Sequence, residues 1–234
     1  IPEDMVYPAL TKALISTKDN WKDDSYICYN REELQKALNK IDAQEILVQE
    51  YINKKNELCY DGYSCNNGKN VLYSISSDYL YVKEGAFSNY MLVSNKHHKE
   101  LEDKLDKMFR KIGFNGIFCV EFLVDQKDNY YFLEINFRNS TWSWASTVAG
   151  MNLPLLWTSS MLDKNVFKTA YKEFKPFKAI VEINDFYDRV KTKKISLIKW
   201  ICQLLGAKVR YFWYYKDLRP FFSKIVHKIN KKHY

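Results

Sequence analysis

Two glutamates on consecutive strand-like segments have the types and spacing to do chemistry. Glu121 lies in Ile117-Phe118-Cys119-Val120-Glu121-Phe122-Leu123-Val124 and Glu134 in Tyr130-Tyr131-Phe132-Leu133-Glu134-Ile135-Asn136, with the polar turn Asp125-Gln126-Lys127-Asp128-Asn129 between them. A turn of that length joins two strands as an antiparallel hairpin. Residues two apart share a face of a strand, so Glu134, Asn136 and Arg138 point one way and Leu133, Ile135 and Phe137 the other, toward the core. On the partner strand Phe118, Val120, Phe122 and Val124 form the apolar face, leaving Glu121 on the polar one beside Cys119 and Leu123. Matching the apolar faces sets Glu121 opposite or nearly opposite Glu134, with Cβ atoms about 5 Å apart. Carboxylates that close repel by about 1 kcal/mol in water and several-fold more at a partly buried site. Two acids and an amide offer only oxygen ligands, which suits a hard cation such as magnesium completing its shell with water and phosphate oxygens. No His or Cys pair lies nearby to attract zinc. A competing reading makes both glutamates solvent-facing positions of a two-stranded ribbon, offset by Lys or Arg neighbours, and spacing alone leaves the two level.

The elements that must position this hairpin are legible on either side of it. From Lys99 to Ile112 the apolar Leu101, Leu105, Met108, Phe109 and Ile112 mark one face of a helix, and Gly113 stands where a C-cap glycine belongs. Upstream, the segments Glu57–Ser64 and Val71–Ser76 flank Asn66-Asn67-Gly68-Lys69, a turn signal that joins strands as a hairpin. Glu45–Ile52 reads as a strand, and Asn30-Arg31-Glu32-Glu33 as an N-cap opening a helix over about 31–40, with Leu34, Ala37, Leu38 and Ile41 at helical spacing. The first segment, Val6–Ile15, is β-rich with the lone Lys12 in an apolar run.

These segments resemble the ATP-grasp superfamily. G-I-F-C-V-E-F-L-V and Y-F-L-E-I-N-F-R are similar to its metal-binding hairpin, in which acid, acid, Asn and Arg recur as E...E-x-N-x-R. The following Ala149-Gly150-Met151-Asn152-Leu153-Pro154 is similar to the A-G-x-N-L-P run of biotin carboxylase, carbamoyl phosphate synthase and D-aspartate ligase relatives. Gln49-Glu50-Tyr51-Ile52 followed by Glu57 resembles the family's hinge, whose backbone meets adenine and whose acid binds ribose hydroxyls. Tyr7-Pro8-Ala9-Leu10-Thr11-Lys12 resembles the strand that presents a Lys to the nucleotide phosphates. The resemblance implies an α+β fold of two lobes with ATP bound between them. It implies ATP and Mg2+ or Mn2+ as cofactors, the metal held by Glu121, Glu134 and Asn136. The implied reaction phosphorylates a carboxylate, after which an amine, or less often a thiol, displaces the phosphate. Lys12 and Arg138 would be its catalytic cations, and Arg138, Trp142 and Trp144 would face the acceptor. Small-molecule acids and amines are then the partners, with a cell-envelope or polysaccharide precursor as one candidate acceptor. The expected division is a small lobe over 1–50, a large lobe with the metal hairpin over 51–190, and a basic aromatic appendage over 191–234.

The chain also departs from the family. It has no glycine before Gly62, whereas the family carries a glycine-rich flap over the phosphates soon after the first Lys. Here Ser16–Ser25 is polar and charged, so a catalytically weak ATP-binding module is the alternative. The α/β domain that normally opens the fold does not precede Pro8, and the sequence does not begin with Met, so it reads as a fragment. Cys119 stands where D-alanine:D-alanine ligase has an Arg, which argues against that subfamily. Lys83 reads as a further phosphate ligand or a solvated edge lysine. Trp142 and Trp144 either wall the acceptor pocket or pack against neighbouring helices.

Composition bounds the remainder. The chain has 234 residues, 47% apolar, enough for one sizeable core. Its net charge of +8 resides in residues 195–234, which carry nine Lys or Arg against one acid, while residues 1–194 hold 27 of each sign. A neutral body argues against nucleic acid as partner. Five cysteines without a C-x-x-C pair fit reduced thiols of a cytoplasmic protein. In the tail, Ile195–Lys208 reads as a docked helix and Ser223–His233 as a basic amphipathic one. Such a tail suits peripheral attachment to an anionic membrane, contact with an anionic glycan, or packing on another domain.

Overall fold

The computed structural model describes residues 1–15, 24–82 and 88–230. Most of the expected flap segment, Lys83 and residues 231–234 lie outside them. The chain divides into two compact units, Ile1–Asn53 and Lys54–Tyr234.

In the first unit β1 (Ala9–Ala13) runs between β2 (Ile27–Cys28) and β3 (Ile46–Glu50), antiparallel to both. Alternation along β1 buries Ala9, Thr11 and Ala13 and leaves Lys12 exposed. The buried side is covered by α1 (Arg31–Leu38) through Leu34 and Ala37, which cluster with Cys28. That helix starts where the sequence indicates: the Asn30 side chain accepts from the Glu33 N–H at 2.9 Å, and the Glu33 carboxylate accepts from the Tyr29 N–H at 2.8 Å.

The second unit is built on a seven-stranded sheet. Five strands form its main run: β4 (Lys54–Cys65), β5 (Asn70–Tyr79), β6 (Tyr90–Ser94), β7 (Gly116–Asp125) and β8 (Tyr130–Asn136). With β9 (Phe177–Ile180) and β10 (Val209–Arg210) the order is β10-β9-β6-β5-β4-β7-β8, and only the β10–β9 pair is parallel. The β4–β5 turn takes positive φ at Asn66, Asn67 and Gly68, the left-handed geometry that Asn and Gly tolerate.

One face of the sheet is covered by α2 (Lys99–Ile112). Its Leu105 and Phe109 enter a cluster of Leu58, Tyr60, Phe118, Val120 and Phe122, with Phe109 and Phe118 ring centroids 4.5 Å apart. The helix ends at Gly113 with φ 64, where the Phe114 N–H bonds back to the Phe109 carbonyl, the Schellman closure expected of that glycine. On the opposite face α3 (Ser143–Val148) and α4 (Leu153–Leu162) bring Ala145 and Leu153 over Tyr63, Leu72, Ile75 and Met91. They are followed by α5 (Lys164–Thr169). Each face of the sheet thus carries its own hydrophobic core.

Two expectations need correction. In β8 the predicted apolar set does not form one core face: Ile135 packs on the α2 cluster, but Leu133 is 38% and Phe137 50% exposed. The cause is a bulge. Glu121 pairs with Glu134 while Phe122 pairs with Phe132, so Leu133 is an extra residue without a partner on β7. The second correction concerns Ile195–Lys208. The helix there, α7 (Leu197–Gly206), follows α6 (Glu182–Asp185) and a π-helical turn, Phe186–Val190. It docks through Trp200, 5.2 Å from Phe186 in ring centroids, and Leu204, yet Ile198 and Leu205 are largely exposed.

The final helix, α8, spans Arg219–Asn230. Residues 191–230 belong to the second unit, tied in by β10 and by buried Glu182, whose carboxylate accepts from the backbone N–H groups of Tyr211, Phe212 and Trp213. No helix among the described residues is long and apolar enough to cross a membrane. Cys28, Cys59, Cys65 and Cys119 are buried free thiols, and Cys202 is exposed.

Candidate active site

Three strands place a set of acids in two rows on the sheet face opposite α2. In the first row Cys59 of β4 pairs with Glu121 of β7, which pairs with Glu134 of β8. In the second, Asp61 pairs with Cys119 and Cys119 with Asn136. Glu57 stands one pleat further along β4 on the same face. The bulge at Leu133 makes this possible: with it, Phe132 turns toward Phe122 and Glu134 toward Glu121, although the two residues are an even number apart.

The electrostatics follow from the crowding. The Glu121 carboxyl is pushed up to about 7, first by burial, then by the charges of Glu134, Glu57 and Asp61, with Arg138 opposing. Asp61, fully buried, is pushed up to about 6 by burial, against hydrogen bonds from the Ser140 and Ser143 hydroxyls at 2.6 and 3.2 Å. The Cys59 and Cys119 thiols between these acids are held well above their usual range, chiefly by burial. They are therefore inert as thiolates.

At the open edge the site is wired outward. Asn136 donates from Nδ2 to Glu134 Oε1 at 3.0 Å, and Arg138 donates from Nη2 to Asn136 Oδ1 at 3.1 Å. Among the described residues neither Glu121 nor Glu134 forms an ion pair. The facing pair thus carries more negative charge than its neighbours offset, and a cation would relieve it. The donors are two carboxylates and an amide oxygen, and no group of three His, Cys, Asp or Glu suited to a metal occurs among the described residues. That composition fits magnesium, which takes few protein oxygens and retains water.

The nucleotide candidates sit as follows. In the first unit Leu10 pairs with Gln49 and Lys12 with Leu47, so Lys12 and Gln49 share the sheet face away from α1. Glu50 pairs with Ala9 on the other face, and the Tyr51 N–H bonds the Pro8 carbonyl at 2.8 Å. Tyr51 and Ile52 are half-buried. In the second unit Glu57 is buried at 4% exposure and paired with Lys54.

Comparison with known proteins decides the family. Residues 21–157, more than half of the chain, match the family described as "Carbamoyl-phosphate synthase L chain, ATP binding domain". The chain belongs to this ATP-grasp family. Over 129 residues it is 23% identical to N5-carboxyaminoimidazole ribonucleotide synthase of Staphylococcus haemolyticus (strain JCSC1435), covering 55% of this chain and 34% of that protein. Among solved structures, an L-amino acid ligase from Bacillus licheniformis superposes with a TM-score of 0.55 at 16% identity, covering 77% of this chain and 46% of its own. The biotin carboxylase domain of Hydrogenobacter thermophilus 2-oxoglutarate carboxylase, solved with MgADP, gives 0.52 at 18% identity, covering 75% and 41%. The likeness to these structures is one of fold. The chain spans about a third of the curated relative's length and less than half of either structure.

Within this ATP-grasp chain the two tryptophans separate. Trp142 is buried in the core, edge-on to Tyr211 at 5.2 Å, and so adopts the packing alternative; Trp144 is 49% exposed. Asp61 and its serines are what the sequence reading missed. The signal was the period of two in Glu57-Leu58-Cys59-Tyr60-Asp61, which puts Asp61 on the same face as Glu57.

Proposed function

We propose that this chain supplies the ATP-binding and metal-binding part of an ATP- and magnesium-dependent carboxylate–amine ligase. The observation that carries the reading is the direct pairing of Glu121 with Glu134, with Asn136 and Arg138 linked to them in series. In the second unit Glu121, Glu134 and the Asn136 amide oxygen hold magnesium, which neutralises triphosphate charge when bound, and Glu57 takes the ribose hydroxyls. In the first unit Lys12 meets phosphate oxygens, and Gln49, Glu50, Tyr51 and Ile52 present backbone to adenine.

In the reaction a carboxylate oxygen attacks the γ-phosphorus, ADP leaves with the electrons of the broken P–O bond, and an acyl phosphate forms. The amine nitrogen then attacks the acyl carbon, phosphate leaves, and the nitrogen loses a proton. Arg138 offers the planar fork that holds the carboxylate and then the acyl phosphate. The protein's contribution is mainly positioning and charge neutralisation. Exposed Trp144 flanks the acceptor. The acceptor class we favour is an anionic cell-envelope or polysaccharide precursor, supported by the nine basic residues after Ile195.

Calorimetry of the full chain with Mg-ATP, followed by phosphate release with panels of carboxylate and amine pairs, tests this reading. Binding with amine-dependent phosphate release is the expected result. Absence of binding refutes it, and binding without turnover against any pair favours the weak module that the glycine-poor segment before Gly62 suggests.

A further inference from the structure

A cavity of about 550 Å³ opens in the C-terminal part of the second unit, where α6, the π-helical turn, α7 and α8 converge. Its size is that of a small-molecule site. Two aromatic pairs stand around it, Phe186 edge-on to Trp200 at 5.2 Å and Trp213 edge-on to Phe221 at 5.1 Å. Ile183 lies deep in it at 6% exposure, and Leu205, at 70%, stands at the mouth.

The charged groups of the lining are two, and one of them is spent. Glu182 is buried with its carboxylate taken by three backbone N–H groups. Arg210 donates Nε and Nη2 to the Leu204 and Leu205 carbonyls at 3.0 and 3.2 Å, and its Nη1 has no partner among the described residues. The segment that supplies most of the lining, 195–230, holds seven Lys or Arg and one acid. A wholly polar ligand would find almost no donors inside. A cation would meet Arg210 and the positive field of the segment. What the cavity complements is an apolar chain ending in negative charge.

We propose that this cavity binds one molecule of a long-chain anionic amphiphile, its acyl chain between the Phe186–Trp200 and Trp213–Phe221 ring pairs and its anionic head at Arg210. The proposal does not rest on the nucleotide chemistry and stands or falls independently of it.

Calorimetry of the full chain with octanoate, decanoate and dodecanoate tests the proposal, with tryptophan fluorescence as a second readout. Affinity is expected to tighten about fourfold per added methylene until the chain outgrows the cavity. Dodecanoate should bind about tenfold or more tightly than dodecyltrimethylammonium, because the head charge is reversed at Arg210. Leu205→Glu, at the exposed rim, should weaken dodecanoate about tenfold with an unchanged melting temperature. Affinity that ignores chain length or head charge in the wild-type protein overturns the proposal, whatever the variant does. Phosphatidylglycerol vesicles form a second arm that identifies the source of the chain. Vesicle binding competed by dodecanoate and reduced by Leu205→Glu keeps the cavity and assigns its occupant to a bilayer; vesicle binding indifferent to both, with no dodecanoate bound, overturns it.

Discussion

Glu121 and Glu134 face one another across the β7–β8 pair, and a single unpaired residue, Leu133, sets that register. Burial first, and then the charge of the opposed Glu134, push the Glu121 carboxyl up to about 7. Glu134→Gln removes one oxygen ligand's charge while preserving shape. Manganese affinity, followed by electron paramagnetic resonance, should fall by on the order of 100-fold, with ATP consumption falling in parallel. Unaltered manganese affinity would remove the pair from any metal site.

Asp61 gives the fold a pH dependence of known sign. Its folded pKa, about 6, exceeds the usual 3.8. A buried acid of this kind destabilises the fold as it ionises: the cost is absent below about pH 4, grows as pH rises toward 6 and is complete above that. A shift of about two units corresponds to about 3 kcal/mol. Asp61→Asn retains the oxygen that Ser140 and Ser143 bond and lacks the titration. Urea unfolding at pH 4.5 and 7 should show the variant gaining on the wild type by about 2 kcal/mol between the two, since part of the cost is already present at the lower pH. Parallel behaviour of the two proteins would contradict the burial of a charge there.

Two glycines with similar φ should respond very differently to alanine. At Gly68, φ 74, a Cβ would overlap the backbone of Phe109 and Arg110; at Gly113, φ 64, it would meet nothing. Gly113→Ala carries only the left-handed backbone penalty, about 1 kcal/mol. Gly68→Ala adds a steric clash against α2 that only backbone movement relieves, and should cost roughly 3 kcal/mol or more. Denaturation midpoints of the two variants measure the difference directly.

Arg189 and Asp185 form a buried bidentate ion pair, with Arg189 Nη2 2.6 Å from Asp185 Oδ2. The guanidinium lies 4.7 and 4.8 Å from the Tyr81 and Tyr90 ring centroids, and Trp200 donates its indole N–H to Asp185 at 2.9 Å. Arg189→Ala strands Asp185 in the interior and should cost about 3–5 kcal/mol in chemical unfolding. Arg189→Lys restores charge but not the fork or the ring stacking, so it should recover only part of that loss.

The hairpins, the α2 face and the Gly113 cap were readable because each is local: a period of two or of 3.6 with turn residues between. The facing of Glu121 and Glu134 was only half readable: alternation put each on the polar side of its own strand, but the register that opposes them is set by the bulge. The bulge was not, because an inserted residue leaves composition and period nearly unchanged and shows only in the cross-strand register. Asp61 was passed over because its partners, Ser140 and Ser143, come from a loop far along the chain. Trp142 stayed undecided until Tyr211, from the basic tail, proved to be its neighbour. Long-range partners of this kind carry no local signature.

The strand bearing Glu134 is also the last in its sheet. A terminal strand offers a row of unused backbone donors and acceptors to any passing chain, and here it shows the exposed side chains of Phe132 and Leu133 as well. The irregularity at Leu133 interrupts that row. One inserted residue therefore does two things at once, turning Glu134 to the side of Glu121 and blunting a sticky margin against fibre-like growth, so its removal should lower solubility together with manganese affinity.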